Sequence, residues 1–386
     1  MAGQADLLID VSRLIWRVSS GRLPTGIDRV CLAYVAHYRD RALAVVQWKG
    51  MRGILPRRAS ARLFDLLLSD APGFRGRVIR LALRELPHLL RSQPGAGRLY
   101  LNIGHTALDR PGLAEWIARA DVRPVYMVHD LIPITHPAYC RAGEAARHER
   151  RIAMMLQTAK GIIGNSQETL DVLGDHAAAH GLPLPPALAA WLGATPLPAG
   201  TPEPPLPDPY FVVLGTIEGR KNHVLLLHVW QQLVAQHGPA APLLAIIGQR
   251  GWECAEALAL LDGDTTLQGH VIELPRCSDT ALGQYLRGAR ALLFPSFAEG
   301  YGMPLVEALG EGTPVIASDL AVFRELAGDI PDYLDPDDLP AWRTAIEAYA
   351  QPDSPARAAQ IARLAAFRIH GWPEHFAKVD DWLAQL

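Results

Sequence analysis

An α/β protein of two similar domains, each built on a parallel sheet, is predicted by three features of the sequence. These are its length of 386 residues, an alternation of short apolar runs with helix-like segments, and a proline-rich stretch that divides the runs into two series. At roughly 150 residues per domain the length suits two domains. A hydrophobic fraction of 49% with 20% charged residues fits a packed globular chain. Strands buried on both faces read as continuous apolar runs, which is the pattern seen here.

In the first half such runs fall at 7–9 (LLI), 43–46, 99–103 (LYLNI), 125–128 (VYMV) and 161–163. From Pro183 to Pro209 there are ten prolines in 27 residues. Proline donates no backbone hydrogen bond and breaks helices, so this stretch reads as a linker. The rhythm restarts with YFVVL (210–214), LLAII (243–247), VIEL (271–274), ALLF (291–294) and PVIA (314–317), and the last run, HGWPEHFAKVDDWLAQL, reads as a helix. The predicted organisation is a first domain over 1–195, a linker over 196–209, a second domain over 210–368 and a terminal helix over 369–386. Open parallel sheets bind ligands beyond the carboxyl ends of their strands, so the chemistry is expected in a cleft between the domains.

Charge and cysteine usage narrow the function. With 37 basic and 40 acidic side chains the formal charge is −3, which argues against a nucleic-acid partner. Cys31, Cys140, Cys254 and Cys277 are too widely spaced for a zinc site or a disulfide framework. A reducing, cytoplasmic compartment is expected. No stretch reaches 18 apolar residues, and the N-terminus shows no obvious export signal.

The most informative stretch is FPSFAEGYGMPLVEALGEGTPVIASD, 294–319. A strand enters a loop holding Gly300 and Gly302, and Pro304 then opens a helix-like segment through Leu305. Proline suits a first helical turn, whose unpaired N–H groups attract phosphate. Glu299 in the loop and Glu307 in the helix are separated by seven residues and are placed to face one ligand. Leu305 stands where a dinucleotide fingerprint needs glycine, which excludes that reading. In GTIEGRKN (215–222), Gly215 permits a tight turn after a strand, and Arg220 and Lys221 follow where they can neutralise a diphosphate.

PSFAEGYGMPLVEALGEGTPVIASD resembles the signature of retaining glycosyltransferases of family 4. YFVVLGTIEGRKNHVLLL, LLAIIGQRGWE and VIELPRCSDTALGQYLRGARALLFPS extend the resemblance over roughly 210–330, and it continues more weakly through the N-terminal half. The resemblance implies the GT-B fold: two Rossmann-like domains facing across a cleft, with the last helix crossing back to the first. It also implies a nucleotide-sugar donor, GDP- or UDP-linked, and a glycan or lipid-diphosphate-linked acceptor, with no cofactor and no metal.

Residue by residue, the resemblance assigns Glu307 to the ribose, Glu299 to the sugar hydroxyls and Lys221 to the diphosphate. Thr216 replaces the family's first phosphate-binding arginine, and Arg220 is expected to compensate. The helix start formed by Gly302, Met303, Pro304 and Leu305 is expected at the phosphates, and backbone near Pro275 and Arg276 at the base. In the N-terminal half, Gly26 in LPTGIDRV matches the family's glycine loop, and His129 in VYMVHDLIPITHP its catalytic strand end. Ser166 reads equally as a helix cap or a contact. The acidic run DPDD at 335–338 resembles a metal-binding Asp-x-Asp pair but reads as a turn beside its prolines. The phosphate loop resembles those of bacterial mannosyltransferases of polysaccharide assembly, which favours GDP-mannose. A hydrolysing nucleotide-sugar epimerase and a catalytically silent glycan-binding protein remain as alternatives.

One segment stands apart. Between Arg52 and Arg91 lie nine arginines, no lysine and three acids, Asp65, Asp70 and Glu85, a local charge of +6. Arg77, Arg80, Arg84, His88 and Arg91 recur at helical spacing, interrupted by Pro87. A basic amphipathic segment of this kind is expected to touch an anionic membrane surface, leaving the protein cytoplasmic and peripheral on the inner membrane.

Overall fold

Two sheets organise the chain. The computed structural model describes residues 6–20, 25–48, 50–69, 73–74, 76–81, 84, 95–201 and 203–386. The first sheet has the order β3-β2-β1-β4-β5-β6-β7, with β1 at Leu7–Asp10, β2 at Ala42–Trp48, β3 at Met51–Ile54, β4 at Arg98–Asn102, β5 at Val122–Val128, β6 at Gly161–Gly164 and β7 at Ala187–Ala189. All its pairings are parallel except β2 with β3. The second sheet is wholly parallel with the order β10-β9-β8-β11-β12-β13. Its strands are β8 at Tyr210–Leu214, β9 at Leu243–Ile247, β10 at Val271–Leu274, β11 at Leu292–Phe294, β12 at Val315–Ser318 and β13 at Asp332–Leu334. Relabelled from its first strand, that order is 3-2-1-4-5-6, the doubly wound arrangement, whose direction reverses between β8 and β11.

Contacts divide the chain into two units, one of Met1–Leu131, Ala146–Leu192 and Trp372–Leu386, the other of Ile132–Ala145 and Gly193–Gly371. The first unit is therefore not one continuous segment. Its terminal helix, Trp372–Leu383, packs within it: His375 Nε2 lies 2.9 Å from the hydroxyl of Tyr34, and Gly161 leaves room for Trp382. In the second unit, Phe211, Leu226, Trp230, Leu293, Ile316 and Trp342 form the core. The indole of Trp230 donates to the carbonyl of Pro242 at 2.8 Å, so the buried N–H is satisfied.

The proline-rich stretch is not linker throughout. Its prolines at 183, 185 and 186 stop short of Ala187–Ala189, whose free N–H groups let it join β6 as a parallel edge strand. The DPDD run is a turn that ends as a helix cap: Asp335 accepts from the Asp337 N–H at 2.9 Å and Asp338 from the Ala341 N–H at 3.0 Å. Ser166 is the cap of the helix Gln167–Ala179, accepting from Thr169 N–H at 3.0 Å. In the basic segment, Arg57–Leu68 is a helix, residues 76–81 are helical, and Arg77, Arg80 and Arg84 are exposed. His88 and Arg91 lie outside the described residues. Among the described residues no helix is long and apolar enough to cross a membrane.

Candidate functional site

The loops that leave β8 and β11, neighbours at the reversal of strand order, carry the charged residues that the sequence singles out. Gly215, just past β8, has φ +140°, and a Cβ there would lie 3.3 Å from Lys221 Cε and 3.5 Å from its Nζ. The bare glycine lets Lys221 fold back against the strand end. A single 3₁₀ turn, Gly219–Lys221, leads through Asn222 into the helix His223–His237. From the other loop the Phe297 N–H donates to the Arg220 carbonyl at 2.8 Å and joins the two. That second loop ends at Gly302, whose φ is +111° and whose Cβ would approach the Phe323 ring to 2.8 Å. The helix Met303–Gly310 starts there with Pro304 in its first turn. Its Leu305 N–H donates to the Gly302 carbonyl at 3.0 Å.

Four charges meet across these loops. Lys221 Nζ donates to Glu299 Oε1 at 2.5 Å, Arg220 Nη1 lies 2.8 Å from Glu299 Oε2, and Arg220 Nη2 lies 2.7 Å from Glu218 Oε1. Ser296 Oγ adds a bond to Glu299 Oε1 at 2.7 Å, and Arg220 Nη1 donates to the Ala298 carbonyl at 2.9 Å. The side chains of Glu299 and Lys221 are 7% and 9% exposed. Burial alone would raise the Glu299 carboxyl, but Arg220 and Lys221 outweigh it and hold the group down to about 2. Burial lowers the Lys221 ammonium, opposed by the same Glu299. Burial raises Glu218, opposed by Arg220. Lys221 spends one of its three N–H donors on Glu299, and its ammonium also lies 4.9 Å from the centre of the Phe294 ring.

The structure thus brings together Arg220, Lys221 and Glu299. Gly300 lies half-buried in the same loop, and Glu307 is buried in the second turn of the helix that Gly302 opens. Thr216 is half-buried beside Gly251, where a Cβ would touch its methyl group at 2.5 Å. Pro275 and Arg276 are exposed after β10, with β9 between that strand and β8. Sequence reasoning missed Glu218 and Ser296. Glu218 was visible only as an acid two places before Arg220, and neither pattern nor spacing marks a buried partner.

Two candidates, Gly26 and His129, belong to the first unit. Gly26 opens the helix Gly26–Tyr38 behind a reciprocal cap between Thr25 and Asp28, and a Cβ on it would meet nothing within 4 Å. Just beyond β5, His129 donates Nε2–H to the Ile103 carbonyl at 2.7 Å, which leaves Nδ1 as an acceptor. Burial brings its pKa down to about 4, so the ring is neutral at pH 7. His105 donates to the Met127 carbonyl at 2.7 Å and His148 to the Asp130 carbonyl at 3.0 Å. The His105 ring centre lies 5.1 Å from that of His129 and 5.9 Å from that of His148. The sequence marks one of these three histidines; the pairing of β4 with β5 brings His105 beside it, and the helix Glu144–Thr158 supplies His148.

Residues 201–330 match the family Glycosyl transferases group 1. The chain is 33% identical over 163 residues to the O-antigen chain mannosyltransferase B of Escherichia coli, covering 42% of each chain. It is 32% identical over 149 residues to the O-antigen chain mannosyltransferase RfbU of Salmonella typhimurium, covering 38% of this chain and 40% of that one. The chain therefore spans less than half the length of these curated relatives. In three dimensions it is similar to HepE of Anabaena, solved with UDP and glucose, with a TM-score of 0.69 at 17% identity, covering 99% of this chain and 100% of that one. A sucrose-phosphate synthase of Thermosynechococcus elongatus matches with a TM-score of 0.62 at 16% identity over 98% of both. At these identities the likeness shows the fold, that of the GT-B glycosyltransferases with their two Rossmann-like domains.

Proposed function

Because residues 201–330 form a Glycosyl transferases group 1 domain, we propose that the chain is a retaining glycosyltransferase that moves a hexose from a nucleotide sugar to a glycan or lipid-diphosphate-linked glycan. The observation that carries this reading is the Lys221–Glu299–Arg220 network at the reversal of strand order in the second sheet. A diphosphate beside β8 meets the unused N–H donors of Lys221 and the positive pole of the helix Met303–Gly310. Those groups oppose the charge that grows on the leaving phosphate and need no metal to do so. The Lys221 and Ser296 bonds occupy Oε1 of Glu299 and the Arg220 bond part of Oε2, which leaves Oε2 an acceptor position for a sugar hydroxyl.

Glu307 is assigned to the ribose hydroxyls, and neutral His129 to the sugar through Nδ1. The anomeric carbon–phosphate oxygen bond breaks while the acceptor hydroxyl oxygen bonds to the same face of that carbon. The acceptor proton passes to the leaving phosphate. Mannose from GDP-mannose is the donor we favour, since the relatives reported above are named as mannosyltransferases. HepE was solved with UDP-glucose, so the base is the first thing to test. The basic segment 52–91 is proposed to rest on an anionic membrane surface, where a lipid-linked acceptor resides.

The test is release of nucleotide from a panel of GDP- and UDP-sugars, with and without glycan acceptor. Release from GDP-mannose that depends on acceptor, with the α-configuration kept in the product, is expected. Release without acceptor, accompanied by an epimerised sugar, supports the hydrolysing epimerase. Neither release nor binding of any nucleotide sugar supports a glycan-binding protein. A thermal shift with GDP larger than with UDP identifies the base, because a ligand of the folded state raises its apparent stability.

A further inference from the structure

After β5 the chain runs into a short strap, Ile132–Ala145, that groups with the second unit. Pro133 and Pro137 stiffen it into one helical turn, Ile132–Thr135, and one 3₁₀ turn, Pro137–Tyr139. The strap touches three loops of the second unit. The Tyr139 ring lies parallel to that of Phe297, with centres 5.1 Å apart and planes 4° from coplanar. Its edge also meets Gly219: a Cβ there would lie 3.5 Å from Tyr139 Cδ1 and 2.7 Å from the Glu253 carbonyl oxygen. The guanidinium of Arg141 covers the Trp252 ring at 4.8 Å.

These contacts bear on the charged network. Phe297 is the residue whose N–H bonds the Arg220 carbonyl, and Ala298, next in the chain, accepts from Arg220 Nη1. Gly219 begins the turn that ends at Lys221. One ring therefore presses on both loops that carry the ion pairs. Tyr139 itself is only half-buried and adds little to the core, so its worth lies in what it holds.

We propose that Tyr139 is a positioning residue for the phosphate-binding loop. Stacked on Phe297 and seated against Gly219, it keeps Gly219–Lys221 and Phe297–Glu299 in fixed register, so that Lys221 meets a nucleoside diphosphate already oriented. The inference rests on the reading of this site as a nucleotide-sugar site. The ring carries the effect, and Arg141 on Trp252 steadies the far end of the strap.

The experiment is titration of wild type, Tyr139→Ala, Tyr139→Phe and Arg141→Ala with GDP and UDP, together with donor kinetics and melting temperature. Tyr139→Ala should weaken nucleotide binding about threefold to tenfold, the size of one aromatic stack. Its donor KM should rise with kcat nearly kept, and Tyr139→Phe should bind as wild type does. Equal binding by Tyr139→Ala, or a loss in Tyr139→Phe as large as in Tyr139→Ala, overturns the inference. If Tyr139→Ala does not fold, Arg141→Ala decides: weaker binding at an unchanged melting temperature supports the strap, and unchanged binding overturns it. A wild type that binds neither nucleotide overturns the functional reading, and this inference with it.

Discussion

Lys221 and Glu299 are each costly to bury alone, and the short bond between them changes what a single substitution does. A lysine in an open phosphate loop would give up charge and little else. Here Lys221→Ala leaves Glu299 nearly withdrawn from solvent with Arg220 as its remaining cation, and breaking such a pair costs about 3 to 5 kcal/mol. We expect Lys221→Ala to lower the free energy of unfolding in urea by about 3 kcal/mol and to weaken nucleotide binding roughly tenfold to a hundredfold, the worth of a charge-assisted contact. The double variant Lys221→Met with Glu299→Gln should recover most of the stability and none of the affinity. Recovery of both would remove Lys221 from the nucleotide site. His129 gives a separate readout. Its pKa is about 4 in the folded chain and about 6.5 when unfolded, so between those values the unfolded chain binds a proton that the folded chain does not. The His129 contribution to stability should fall as pH drops from 6.5 towards 4 and level off below. Glu299, held down to about 2, contributes stability that is fully present above its unfolded value near 4.3 and is lost progressively as pH falls from there to about 2, below the range measured. Urea titrations at pH 7, 6 and 5 measure the slope, and His129→Gln should make it shallower by one group's share, since burial also holds His105 and His223 below the ordinary imidazole value and they keep theirs.

Among the elements, ten strands stand where continuous apolar runs predict them, because a strand buried on both faces leaves that signature. The three others found among the described residues lack it. β3 is a four-residue hairpin partner containing Arg52, β7 sits among prolines, and β13 is Asp-Tyr-Leu. The site divides in the same way. Glu299, Arg220 and Lys221 lie in loops with readable glycines, whereas Glu218, Ser296 and Tyr139 acquire their roles only when β8 pairs with β11 and the strap groups with the second unit. Glycine is required most severely where backbone meets backbone. A Cβ on Gly248 would overlap the Gly215 carbonyl, which cannot turn aside. On Gly302 the obstacle is the edge of the Phe323 ring, and φ is +111°. Gly248→Ala should therefore lower the melting temperature more than Gly302→Ala, although both cost on the order of 1 to 3 kcal/mol or more. Thermal melts of the two variants decide the order, and a milder Gly248→Ala would show that the strand end shifts freely.

Across the whole molecule, two similar α/β domains are legible from local periodicity, but the assignment of Ile132–Ala145 to the second unit is not, since periodicity reports burial and not which core provides it. Charge distribution is a property of the same scale. A chain of net charge −3 concentrates nine arginines against three acids between Arg52 and Arg91, and part of that excess stands on an amphipathic helix. Arg57–Leu68 buries Ala59, Ser60, Leu63, Phe64 and Leu67 and turns Arg58 and Arg62 outwards. Arg77, Arg80 and Arg84 are exposed beyond it. Exposed arginines of this density attract anionic lipid at about 1 kcal/mol each near the surface, and salt screens the attraction within roughly 10 Å. We expect the protein to sediment with vesicles containing anionic phospholipid at low salt and to be released as salt rises. Replacing Arg77, Arg80 and Arg84 together by Gln should abolish sedimentation and leave GDP affinity unchanged, because none of the three belongs to the unit that holds Lys221 and Glu299. Equal binding to neutral vesicles would place the attraction in apolar contacts instead, and no binding to anionic vesicles would remove the membrane from the account of how this chain meets its acceptor.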